Sequence, residues 1–121
     1  MHELSIAVSL HEQIKRHTPA DTVVRTARLR IGPMQAIEPD SLRMSWEATW
    51  QQDGLTSPTS PPAPTPELVL ELLPWRLTCP ECGRSWESPE LYVVCQCGCA
   101  TPNPEGGAEL QLVSITVDPK S

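Results

Sequence analysis

The amino-acid sequence predicts an α+β fold: a small three-stranded sheet with two helices, interrupted by a cysteine-rich insert. Three observations carry this prediction. Residues 3–17 and 39–51 repeat apolar side chains at helical spacing. Residues 22–31, 67–73 and 109–117 alternate as strands do. All five Cys fall within residues 79–99, between the second and third strands. The division that follows is a body at 1–73 and 105–121, with an insert at 74–104.

The first helix repeats Leu4, Val8 and His11 along one line and Ile6, Leu10 and Ile14 along another. Glu12 can pair with Lys15 and Arg16 one turn on. Pro19 closes the segment and Asp21 begins the turn out of it. His11 and His17 are expected at the surface, with His17 placed favourably near the negative end of the helix dipole. In the strand TVVRTARLRI, Val23, Ala27, Leu29 and Ile31 share a face, and Arg28 and Arg30 point the other way. Arg25 falls on the apolar face, as a residue at a sheet end can. The three Arg do not form one patch and read as a solvated strand face. Gly32-Pro33 stops the strand.

Pro39 suits the first position of the second helix and Asp40 its first turn. Leu42, Trp46 and Trp50 step along one face and are expected in the core. Residues 53–66 hold five Pro and five Ser/Thr in fourteen positions. That composition packs no core and reads as a linker or loop. ELVLELL at 67–73 and ELQLVSITV at 109–117 supply the remaining strands.

Composition limits the core and the class. The chain has 121 residues, 39 % hydrophobic, with no Phe and fourteen Pro. The core must be modest, built from Leu, Val, Ile, Ala and four Trp. No apolar run is long enough for a membrane-spanning helix. The opening MHELSIAVSL lacks a basic start and carries Glu3, so no secretory leader is expected and the chain is expected in the cytoplasm. A net charge of −6 argues against nucleic acid as a partner. No nucleophile–base constellation or phosphate-cradling glycine loop is present, so the chain does not read as an enzyme.

Leaderless cysteine clusters are better read as metal ligands than as disulfides. Cys79-Pro-Glu-Cys82-Gly83 is a knuckle: the backbone turns back so that both sulfurs reach one metal. Gly83 frees the backbone for amide-to-sulfur hydrogen bonds. Twelve residues further on comes Cys95-Gln-Cys97-Gly-Cys99, three Cys where two are needed. Cys95 with Cys97 preserves a Cys-Gly ending; Cys95 with Cys99 is the alternative. Cys79, Cys82, Cys95 and Cys97 form the favoured set, with Cys99 as the alternative fourth ligand. Four thiolates make a closed tetrahedral zinc site with a structural role, although iron also accepts such a set. With few large apolar residues, residues 74–104 would hardly fold without a metal, which makes them a zinc-ribbon-like domain.

The other end of the chain offers nitrogen. His2 follows Met1, and a large second residue should block removal of the initiator Met. The Met1 amine, the His2 amide nitrogen and the His2 imidazole then form adjacent small chelate rings. A planar nitrogen set suits Ni(II) or Cu(II), and Glu3 can add its amide or carboxylate. Alone, the Cys cluster also fits a zinc-ribbon module that contacts protein or nucleic acid.

MHELSIAVSL at 1–10, RLRIG at 28–32, IEPDSLRMSWE at 37–47 and CPECG at 79–83 occur together in this order. The chain thereby resembles the HypA/HybF family of hydrogenase nickel-incorporation proteins. That resemblance implies a nickel-binding α/β domain with an inserted zinc domain. It implies a metallochaperone that passes transient Ni(II), with the GTPase HypB, to the large subunit of nickel–iron hydrogenase; some members also serve urease. It assigns Met1, His2 and Glu3 to nickel and Cys79 and Cys82 to the first zinc pair. Cys95 and Cys97 match the second pair with one residue deleted between them. The Pro/Ser/Thr run at 56–66 replaces the family's short Gly-containing connection. A linker of that length admits subunit exchange and a homodimer.

Overall fold

The computed structural model describes residues 2–55 and 64–119. Met1, and positions 56–63 of the Pro/Ser/Thr run, lie outside the described residues. The order of elements is α1 (His2–His17), β1 (Thr22–Ile31), a 3-10 turn (Pro33–Gln35) and α2 (Pro39–Leu55). Strands β2 (Glu67–Leu72), β3 (Trp75–Thr78), β4 (Ser85–Ser88), β5 (Asn103–Pro104) and β6 (Leu110–Pro119) follow. They form two three-stranded sheets, β2-β1-β6 and β4-β3-β5. The fold is α+β, as the sequence predicts.

The first sheet is mixed. The Leu73 amide donates to the Ile31 carbonyl (2.9 Å) just past the ends of β2 and β1, so these two run parallel. Parallel neighbours need a crossover, and α2 supplies it. The Gly32 amide donates to the Glu109 carbonyl (2.7 Å), where β1 ends and β6 is about to begin, so that pair is antiparallel.

Two compact units emerge. The first comprises residues 1–29, 37–70 and 112–121. Its core is built from Ile6, Ala7, Leu10 and Ile14 of α1, Leu42, Trp46 and Trp50 of α2, Val24, Ala27 and Leu29 of β1, and Leu68 of β2. The Trp46 indole donates to the Pro66 carbonyl (2.8 Å), and the Arg43 guanidinium donates to the Leu68 carbonyl. Both bonds satisfy backbone groups where the chain enters β2. Glu38 caps α2: its carboxylate accepts from the Ser41 amide (2.6 Å), while its carbonyl takes the Leu42 amide (3.0 Å). The Ser41 amide, and after it the Asp40 amide, hold the Glu38 carboxyl below its ordinary pKa.

Several details depart from expectation. His11 is half-buried, its ring edge-on to Trp50 with centroids 4.6 Å apart, and is not a surface residue. The Lys15 ammonium sits 5.6 Å from the Trp50 ring centroid. Leu4 and Val8 lie on the exposed side of α1. In β1, Val24 is buried in place of Val23, so the alternation shifts at the strand's start. Arg25 is thereby released to solvent, where it pairs with Asp118 (2.7 Å). Helix α2 continues to Leu55, past the expected end at 51.

The second unit comprises residues 30–36 and 71–111. Strands β3 and β4 form an antiparallel hairpin from Trp75↔Ser88 to Thr78↔Ser85, and β5 flanks β3 on its other side. Buried Ser88 is satisfied locally, donating to the Glu90 carbonyl (2.7 Å) and accepting from the Glu90 amide (3.1 Å). Gly32 lies against residues 107–109. A Cβ there would run into the Gly107 carbonyl and sit 2.8 Å from the Glu109 nitrogen. Two backbone bonds depend on this approach: Gly32 amide to Glu109 carbonyl, and Met34 amide to Gly107 carbonyl, both 2.7 Å.

Candidate metal centre

The hairpin turn presents the first cysteine pair. Cys79 directly follows β3, and its amide bonds the Arg84 carbonyl (2.8 Å). The Gly83 amide returns to the Cys79 carbonyl (3.0 Å), with Gly83 at a φ of 78° that L side chains rarely adopt. The second cluster turns in a similar way. The Gly98 amide bonds the Cys95 carbonyl (2.8 Å), with Gly98 at a φ of 99°, and the Cys95 amide bonds the Cys99 carbonyl (2.9 Å). In both turns a cysteine sits directly before the left-handed glycine: Cys82 in the first, Cys97 in the second.

These turns bring four sulfurs together. The Sγ atoms of Cys79, Cys82, Cys95 and Cys97 all lie within 4.8 Å of one another. Cys79 and Cys97 approach to 3.5 Å and Cys82 and Cys95 to 3.6 Å. Zinc bound tetrahedrally at ~2.3 Å has sulfur–sulfur edges of about 3.8 Å, so the set has the dimensions a zinc ion requires. Cys99 stands apart from the four. Its sulfur is buried and lies 3.7 Å from the Thr101 hydroxyl.

Electrostatics in the quartet are those of four thiols crowded together. The Cys82 amide, 3.5 Å from the Cys79 sulfur, is the main cause holding that thiol at about 6. At Cys97 the Cys99 amide pulls downward, but the neighbouring Cys79 and Cys95 sulfurs outweigh it and push the thiol up to about 12. Four thiolates this close repel one another, and a divalent cation removes the conflict. The donor set therefore fits zinc.

Trp86 of β4 packs on the buried cysteines Cys79, Cys95 and Cys99, and the Arg84 guanidinium covers its ring at 5.0 Å. An apolar wall of this kind limits water at a metal centre. The sequence does place Arg84 and Trp86 two apart directly after the knuckle, the spacing of one strand face. That spacing is the local signal that the two side chains share a face.

At the other end, His2 is exposed and Glu3 half-buried in the first turn of α1. Amides in the first turn of a helix have no intrahelical partner. An amide nitrogen, once deprotonated, can ligate a metal. Among the described residues, the four cysteines form the only convergent group of three or more His, Cys, Asp or Glu donors. No described helix is long and apolar enough to cross a membrane.

Fold and site together define a small metal-binding protein with a closed sulfur centre. Comparison with known proteins narrows the class. Residues 1–117 match the family described as hydrogenase/urease nickel incorporation, metallochaperone, HypA. A hydrogenase maturation factor HypA from Streptomyces avermitilis is 31 % identical over 95 % of this chain and 86 % of its own length. Another, from Desulfatibacillum aliphaticivorans, is 33 % identical over 99 % of this chain and 90 % of its own. The solution structure of the Ni metallochaperone HypA from Helicobacter pylori shares the fold, with a TM-score of 0.53 and 21 % identity over 95 % of this chain and 96 % of that one. The chain belongs to the HypA family of nickel-incorporation metallochaperones, which is non-catalytic.

Proposed function

We propose that the chain carries Ni(II) as cargo during maturation of nickel–iron hydrogenase, and that a resident zinc ion holds the cysteine centre. One observation carries the reading: the chain has two donor sets of opposite character. The four sulfurs of Cys79, Cys82, Cys95 and Cys97 form a closed quartet that leaves no position for an incoming ligand. His2 is exposed at the start of α1. A closed set retains its metal; an open nitrogen set can take one up and release it. Met1 contributes its amine, His2 its amide and imidazole nitrogens, and Glu3 an amide or carboxylate. Residues 1–73 and 105–121 then handle nickel, and residues 74–104 are ordered by zinc.

On this reading the partners either supply or accept nickel: the GTPase HypB and the hydrogenase large subunit, with urease as a second destination. Cytoplasmic location suits thiols kept reduced. A nucleic-acid-binding zinc ribbon fits less well, because Arg76 and Arg84 are the only cations of residues 74–104 in a chain of net charge −6.

The test is complementation of cells that make hydrogenase but lack their own nickel chaperone. The wild-type chain should restore hydrogenase activity and His2→Ala should not, with equal amounts of folded protein in both. Full activity from His2→Ala would contradict the reading.

A further inference from the structure

Five cysteines surround a site that takes four. Cys99 is the fifth, and its placement is specific. In the second turn it stands where Arg84 stands in the first: the Cys79 amide bonds the Arg84 carbonyl, and the Cys95 amide bonds the Cys99 carbonyl. Trp86 packs on Cys99 together with Cys79 and Cys95, so the fifth thiol lies behind the same apolar wall as two of the four ligands. Cys99 is 7 % exposed, whereas Cys97, two residues earlier, is open to solvent. The Cys99 amide hydrogen-bonds the Cys97 sulfur, which holds that sulfur beside residue 99. Residues two apart span at most ~7 Å. A chain that turns at Gly98 falls within the ~4.4–6.8 Å between Cα atoms that a disulfide needs. A Cβ added at Gly98 would meet nothing within 4 Å, so the turn has room to close further.

We propose, on the reading that the quartet holds zinc, that Cys97 and Cys99 form a peroxide-responsive pair: Cys97 is oxidised, Cys99 resolves it as a disulfide, and zinc is released. Exposure and ligation divide the labour. Cys79 and Cys95 are buried members of the quartet, and Cys82 and Cys97 are exposed members. Cys99 alone keeps its sulfur outside the quartet. Cys82 is as open as Cys97, but the sulfur 3.6 Å from it belongs to Cys95, itself a ligand. Hydrogen peroxide is the oxidant. The Cys97 thiolate attacks one peroxide oxygen, and the O–O bond breaks to leave a sulfenic acid and hydroxide. The Cys99 sulfur then attacks the Cys97 sulfur. An S–S bond forms, the S–O bond breaks, and water leaves with the Cys99 proton. Two electrons have passed from the sulfurs to peroxide. Three thiolates remain in the quartet, too few for a closed site, and residues 74–104 lose the metal that orders them. A dithiol reductant restores the quartet, because the disulfide keeps Cys97 from the irreversible sulfinic acid.

The test uses the untagged full chain, reduced and zinc-loaded. Its zinc content, measured first, checks the zinc reading separately: a chain without zinc would sink that reading, while the disulfide map would still decide the pair. Hydrogen peroxide is added beside a chromophoric zinc chelator, remaining thiols are alkylated, and tandem mass spectrometry locates the disulfide. The first disulfide should join Cys97 to Cys99, with one zinc released per chain in step with it. After a dithiol reductant and fresh zinc, the wild type should recover nearly all its zinc. Cys99→Ser keeps the quartet, so it should start with one zinc. After peroxide, a sulfenic-acid trap should label Cys97 in this variant and not in the wild type, and zinc recovery should fall several-fold. A first disulfide between two members of the quartet, such as Cys79 with Cys97, would overturn the proposal. So would a Cys99→Ser protein that recovers its zinc as fully as the wild type.

Discussion

Replacing Gly32 by Ala should destabilise the protein by about 3 kcal/mol, and the cause is steric rather than conformational. Gly32 has φ −78° and ψ 155°, extended backbone that any residue adopts. Its new Cβ would collide with the Gly107 carbonyl and lie 2.8 Å from the Glu109 nitrogen, and backbone atoms cannot rotate away as a side chain can. Residues 107–109 must retreat, and the Gly32–Glu109 and Met34–Gly107 bonds, both 2.7 Å, are strained or lost. Gly32 and Gly107 are buried, so water does not freely replace these bonds. A stranded buried group costs about 1–3 kcal/mol. Against the two losses, Ala restricts the unfolded chain and returns about 0.4–1 kcal/mol. The balance corresponds to a fall in Tm of about 10 °C or more. Urea unfolding followed by circular dichroism in excess zinc measures it. A Gly32→Ala protein within ~0.5 kcal/mol of wild type would refute the reasoning, because residues 107–109 would then be free to yield.

Three further outcomes follow from the same structure. Cys82→Ala should lose its zinc and unfold residues 74–104, since structural zinc contributes about 10–16 kcal/mol in small metal-folded peptides; metal analysis with amide exchange decides it. Cys99→Ser should retain one tightly held zinc and Cys97→Ser should not, because the Cys99 sulfur stands outside the quartet; chelator competition reads the difference, and the reverse pattern would move the fourth ligand to Cys99. The Glu38 cap should be sensitive to acid. Its carboxyl pKa is lowered in the folded state, so its contribution is complete above the ordinary carboxylate pKa of about 4.3 and is lost as pH falls through the folded value. The stability difference between wild type and Glu38→Gln should therefore shrink on acidification below about pH 4, and a difference constant from neutral pH downward would contradict it.

What the sequence revealed depended on how many residues each element could contribute to a pattern. Strand β1 spans the ten residues that its alternation and the Gly32-Pro33 stop predict. Leu42, Trp46 and Trp50 step by four, and all three are buried. Strands β3, β4 and β5 were not legible, because four residues or fewer give periodicity nothing to count. The β3–β4 pairing is set by the turn at Cys79–Gly83 rather than by alternation. His11 was misplaced because its packing comes from Trp50, distant in sequence. Helix α2 runs on through Asp53-Gly54, the first residues of the stretch whose composition reads as linker, because composition and turn propensity are weak priors against a continuing helix. At the metal centre the knuckle was plain. The choice between Cys97 and Cys99 rested on a single cue, the glycine after Cys97. That glycine proves to hold the left-handed turn that mirrors Gly83. The close approach of Gly32 to residues 107–109 left no local trace at all, since it joins segments far apart in the chain.

The central claim, that nickel is held by the amine and imidazole of the first two residues, is tested most directly by isothermal titration of Ni(II) into zinc-loaded protein. Three forms are compared: untagged, extended by an N-terminal tag, and His2→Ala. The untagged chain should bind one Ni(II) tightly. The tag moves the free amine away from His2 and the substitution removes the imidazole, so both should abolish tight binding while zinc content and fold stay unchanged. If the tagged protein binds Ni(II) as tightly as the untagged one, the terminal amine is not a ligand, and the nickel site lies elsewhere, with His11, His17 and the Cys99 thiol as the next donors to examine.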